Sequence, residues 1–135
     1  MQIMNNYKLL IQKAFEAKRN ALPTYSGFHV GAAISTDGNK IYKGCNIEIS
    51  SYSLTICAER NAVFKAVSEG ERKFKALALT SDSDNYCPPC GACLQVLMDL
   101  CGQELEIVMV NNKNEIKINK LKELLPVSFN SEILK

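Results

Sequence analysis

A chain of 135 residues, 47% apolar and 22% charged, has the composition of one folded globular domain and not that of a disordered, collagen-like or membrane chain. Sixteen basic against 14 acidic side chains leave a formal charge of +2, spread along the sequence, so neither a nucleic-acid partner nor a membrane surface is expected. Six cysteines accompany one histidine, and residues 1–20 hold no apolar leader. The expected compartment is therefore a reducing cytoplasm, where thiols serve as metal ligands, redox groups or packing rather than bridges.

Tyr7, Leu10, Ile11, Ala14, Phe15 and Lys18 recur at helical spacing and predict an amphipathic helix over residues 6–20, stopped by Leu22-Pro23. Phe28, Val30, Ala32 and Ile34 then alternate with His29, Gly31, Ala33 and Ser35 as a strand. Asp37-Gly38-Asn39 turns the chain into a partner strand over 40–45. A second helix is expected over 57–69, burying Ala62, Val63, Ala66 and Val67 and stopped by Gly70. A strand over 74–80 follows, then a third helix over 90–101, opened by Pro88-Pro89 and closed by Gly102. The strand over 105–111 is apolar on both faces and needs a covering layer on each. A turn at 111–115, a short strand over 116–118 and a short helix over 120–125 end the pattern before Pro126. The order predicts a single domain over 1–135 of the α/β class, a three-layer α/β/α sandwich around a mixed five-stranded sheet.

Two stretches carry chemistry, and both place cysteines at helix starts: Cys57-Ala58-Glu59-Arg60 and Pro88-Pro89-Cys90-Gly91-Ala92-Cys93. Cys90 and Cys93, three residues apart, share one face of a first turn and can reach a single ion, with Cys57 as a third ligand from the other helix. A Zn²⁺ with three protein ligands keeps a fourth position for water, which is the arrangement of a catalytic site. Glu59 stands two residues beyond Cys57, where it can act as general base on that water. Three thiolates give the site a formal charge of −1; the two helix N-termini and Arg60 are positioned to offset it. Other readings of the thiols are core packing, a Cys87-Pro-Pro-Cys90 redox pair, or a closed structural zinc site that adds Cys87. None of these gives Glu59 a task. His29 is expected at the surface or a subunit contact, Cys45 and Cys101 as packing residues, and Cys87 as an oxidation-prone thiol outside the ligand set.

Y-S-G-F-H-V-G-A-A at 25–33, G-C-N-I-E at 44–48, C-A-E-R-N-A at 57–62, P-C-G-A-C-L-Q-V at 89–96 and E-L-L-P-V-S-F at 123–129 resemble, in order, the small homotetrameric cytidine deaminases. The position after the last ligand, often arginine in that family, is Leu94. The resemblance implies a cytidine deaminase-like fold, one Zn²⁺ per subunit on Cys57, Cys90 and Cys93, and a small-molecule nucleoside substrate in a homotetramer with shared active sites. It implies hydrolytic deamination of cytidine and 2'-deoxycytidine in pyrimidine salvage, with Glu59 carrying protons to N3 and to the departing amino group. Asn46 and Glu48 match contacts to the ribose hydroxyls and Phe28 an aromatic contact to the nucleoside. The backbone N–H groups of Ala58 and Glu59 match contacts to the pyrimidine, and Phe129 an aromatic that reaches a neighbour's base. A deaminase of a cytosine nucleoside antibiotic such as blasticidin S stands as the alternative within this class.

Overall fold

In the computed structural model, residues 2–135 are described, with side chains from Tyr7 onward. Helix α1 (Gln2–Lys18) leads through a loop into β1 (Val30–Thr36) and β2 (Ile41–Cys45), then α2 (Ala58–Ser68), β3 (Phe74–Ser81) and α3 (Gly91–Cys101). β4 (Glu106–Val110), β5 (Ile116–Lys120) and the one-turn α4 (Leu121–Leu124) complete the expected series. Two 3₁₀ turns, Tyr52–Leu54 and Ser131–Leu134, are additional and too short to carry a sequence period.

The five strands form one sheet in the order β2-β1-β3-β4-β5. β3 and β4 are parallel and the other pairs antiparallel. A parallel pair needs a crossover, and α3 supplies it. Alternation along the strands sends side chains into two cores. Ala32, Ile34, Leu77, Leu79 and Ile107 pack with Ala62, Val63 and Leu97 of α2 and α3. On the opposite face Ala33, Ala76, Ala78 and Val108 meet Leu10, Ile11 and Ala14 of α1. The mixed three-layer sandwich expected from the sequence is thus present.

The first helix begins earlier than expected, at Gln2, and β5 runs on to Lys120; the end of the first helix and the start of β1 differ for identifiable local reasons. The first helix stops at Lys18, because the amides of Arg19 and Asn20 bond three residues back, to Glu16 and Ala17, and tighten the end. β1 begins at Val30, not Phe28, because the Phe28 carbonyl and the His29 amide are engaged by the side chains of Asn46 and Asp82.

Gly44 lets α2 close on β2: a Cβ there would lie 2.3 Å from the Ala62 nitrogen and 2.5 Å from the Ala58 oxygen. Both are backbone atoms of the helix that opens with Cys57, so they cannot swing aside. Gly44→Ala is therefore expected to cost about 1–3 kcal/mol through overpacking and to weaken metal retention. Denaturant unfolding and metal analysis of the purified variant measure both.

Candidate active site

The helices α2 and α3 lie on the same face of the sheet, and their N-termini converge. Cys57 is the N-cap of α2 and Cys90 the N-cap of α3; neither makes a side-chain capping hydrogen bond. Cys93, the third residue of α3, is fully buried. The three sulfurs lie within 4.8 Å of one another. Zinc–sulfur bonds of about 2.3 Å in a tetrahedron set the sulfurs about 3.8 Å apart, so these need close in only slightly to hold one Zn²⁺. Among the described residues the cluster contains neither Cys87 nor a carboxylate. The donor set is thus three soft sulfurs with one position unfilled by protein, which suits a catalytic zinc ion.

The electrostatics of the triad follow from its neighbours. A hydrogen bond from Cys93 and one from Arg60, whose Nη2 lies 3.4 Å from Cys57 Sγ, favour thiolate at Cys57 and hold it well below the ordinary thiol range. Cys93 is driven the other way, by that same shared proton and by burial. One proton held between two sulfurs accounts for both directions, and a cation among the sulfurs would displace it. The Arg60 guanidinium bonds to Cys57 and Cys93, while its buried Nε has no partner. Glu59, in the first turn of α2, is only 4% exposed, and burial pushes its carboxyl up to about 7. A carboxyl balanced there can take a proton and return it.

Ala58, Glu59, Asn46 and Glu48 line a cleft of about 220 Å³ together with Cys57 and Cys90. Glu48 and Thr55 also border a neighbouring cavity of about 350 Å³ that contains Tyr25 and Tyr52. Of the residues expected to contact substrate, these four are brought together. Phe28 and Phe129 are not in the cleft lining; both are partly exposed, and the Phe129 carbonyl accepts from Gln95 Nε2. Asn46 is 8% exposed and turned partly inward, its Oδ1 accepting from the Val30 amide and its Nδ2 donating to the Phe28 carbonyl. Leu94 is a core residue between the helices. His29 is partly exposed, as expected, and its Nδ1 lies 2.7 Å from Asp82 Oδ2. Cys87 borders the cleft with its thiol raised by burial, and all six cysteines are free.

Three participants were not legible in the sequence. Thr55 lines the cleft from the loop after the first 3₁₀ turn, and its Oγ1 accepts from the Ile49 amide. Ser26 bonds to Glu48 across 22 residues, and Asp82 to His29 across 53. A Ser-Gly pair in a loop reads as a turn and an Asp after a strand as a solvated end, so no local signal marked them.

Residues 4–109 match the model of the cytidine and deoxycytidylate deaminase zinc-binding region. A curated cytidine deaminase of Sporosarcina psychrophila is 46% identical over 125 residues, covering 93% of this chain and 92% of that protein. The 1.6 Å crystal structure of cytidine deaminase from Burkholderia pseudomallei superposes with a TM-score of 0.88 at 39% identity, covering 91% of this chain and 98% of that one. A blasticidin-S deaminase of Bacillus cereus is more distant, 30% identical over 75% of this chain and 76% of its own. With the thiol triad, the buried Glu59 and the sheet topology already in place, the chain belongs to the cytidine and deoxycytidylate deaminase zinc-binding family.

Proposed function

We propose that this chain hydrolyses cytidine and 2'-deoxycytidine to uridine and 2'-deoxyuridine with release of ammonia. The observation that carries the reading is the buried carboxyl of Glu59 beside three convergent sulfurs, at the floor of a cleft that also holds a carboxylate and an amide. Zinc bound by Cys57, Cys90 and Cys93 would supply an acidified water and a Lewis-acidic centre. Glu59 is placed to hold a proton and deliver it to N3 of the cytosine ring, and then to carry the second proton that hydrolysis releases to the 4-amino group, which leaves as ammonia. The backbone N–H groups of Ala58 and Glu59 have no helix partner in the first turn of α2 and face the pyrimidine edge, the Glu59 amide once its own carboxyl releases it. Glu48 accepts from the sugar, and the remaining Nδ2 hydrogen of Asn46 can donate to it.

Phe28 contributes an aromatic face to the nucleoside and Phe129 reaches a neighbouring subunit's base. Exposed Tyr52, Leu54, Val127, Phe129 and Leu134 supply apolar surface for such an assembly, read here as a homotetramer. The chain works as one catalytic domain over 1–135 in cytoplasmic pyrimidine salvage. No helix among the described residues is long and apolar enough to cross a membrane.

Absorbance-monitored turnover of cytidine, 2'-deoxycytidine, CMP and blasticidin S tests the substrate. The two nucleosides should be deaminated with the highest kcat/KM. Preference for blasticidin S would replace this reading with the antibiotic one. Arg60 should tune the site: Arg60→Gln removes the guanidinium charge that donates to Cys57, so kcat is expected to fall about tenfold with a displaced pH profile. An unchanged rate and profile would remove Arg60 from the mechanism.

A further inference from the structure

The Glu48 carboxylate is held by more donors than its place at the rim of the cleft requires. Its Oε1 accepts from the amides of Tyr25 and Ser26 at 2.8 and 2.9 Å, and its Oε2 accepts from the Ser26 hydroxyl at 2.5 Å. A carboxylate offers about four acceptor positions, two per oxygen. Oε1 is therefore saturated, and Oε2 keeps one position for a substrate hydroxyl. The hydroxyl that fills the other position also accepts from the Phe28 amide at 3.0 Å. Beyond it, the Phe28 carbonyl and Val30 amide are taken by Asn46, and the His29 amide by Asp82 at 2.8 Å. The run from Tyr25 to Val30 is thus pinned side by side with the cleft. Gly27, at φ +70, lets the chain reverse between Ser26 and Phe28.

In this chain of contacts the Ser26 hydroxyl joins the Glu48 carboxylate at the cleft to the backbone of Phe28. We propose that Ser26 is a positioning residue that aims the one open acceptor of Glu48 at a sugar hydroxyl and seats Phe28 in register with it. The assignment rests on the nucleoside reading above. Removing the hydroxyl leaves Glu48 held through Oε1 alone, with Oε2 no longer fixed in direction, and leaves the Phe28 amide without its acceptor. Substrate binding weakens while proton transfer at Glu59 is not directly altered, because Ser26 bonds to Glu48 and to the Phe28 amide and not to Glu59.

Ser26→Ala should raise KM for cytidine about tenfold, with kcat changed less than about threefold and zinc content unchanged. Ser26→Thr, which restores the hydroxyl, should bring KM back to within about threefold of wild type. For 2',3'-dideoxycytidine, which lacks the 2'- and 3'-hydroxyls that would donate to Glu48, the Ser26→Ala increase should be several-fold smaller. An unchanged KM for cytidine overturns the assignment, as does an equal increase for both nucleosides or a failure of threonine to rescue. If the wild-type protein itself does not turn over cytidine, the functional reading fails instead. A wild type that turns over cytidine beside an indifferent Ser26→Ala variant refutes Ser26 alone.

Discussion

Glu59→Gln should bind a full equivalent of zinc and yet lose about 1000-fold in kcat, because an amide of the same shape cannot take a proton from water. Zinc content and single-turnover kinetics on the same preparation separate the two effects. The substitution also has a signature in the metal-free protein. The carboxyl is at about 7 when folded, against an ordinary value of 4.5, with burial as the main cause. A raised pKa means that the folded chain holds this proton better than the unfolded chain. The corresponding stability is fully present below about pH 4.5 and is lost as pH rises through 7. At pH 8 the buried charge therefore costs the folded wild type on the order of 3 kcal/mol, which glutamine avoids. Metal-free Glu59→Gln should unfold at higher denaturant than metal-free wild type at pH 8 and alike at pH 4.5. Equal stability at both values would mean that Glu59 is not held in the desolvated environment described.

Cys93→Ala should abolish both zinc binding and deamination, because Cys93 is the fully buried member of the triad and two remaining sulfurs cannot retain the ion in a chelator. Cys87→Ala should keep its zinc, since Cys87 lies outside the group of sulfurs within 4.8 Å. The pair of variants separates the readings left open by the sequence. A closed four-cysteine site loses metal in both. A redox pair of Cys87 and Cys90 shows thiol–disulfide exchange that vanishes in Cys87→Ala and contains no zinc to lose. Metal analysis after dialysis against a moderate chelator decides among them.

Much of this was legible beforehand because the fold and the site are encoded by different local signals. Alternation in 28–35 and the helical stripe in 57–69 identified the elements that form the core, since burial imposes those periods. The Cys90–Cys93 spacing places two sulfurs on one helical turn whatever surrounds them, and their convergence with Cys57 needed only that both helices begin at the same end of the sheet. Long-range side-chain-to-backbone bonds left no such trace. Ser26 with Glu48, Asn46 with Phe28 and Val30, and Asp82 with His29 join residues far apart in the chain, and each side chain has a plausible local role. The same holds for the missed start of β1. Phe28 fits the alternation, but its carbonyl is claimed by an amide side chain that the periodicity does not see.

The joining of Glu59 chemistry to the thiol triad is tested most directly by product stoichiometry in zinc-loaded wild-type protein. Incubated with cytidine, it should form uridine and ammonia in a one-to-one ratio, with turnover ceasing when the metal is removed and returning when zinc is restored. Protein that carries one zinc per chain and leaves cytidine unchanged, or that deaminates it equally well without metal, would contradict the account.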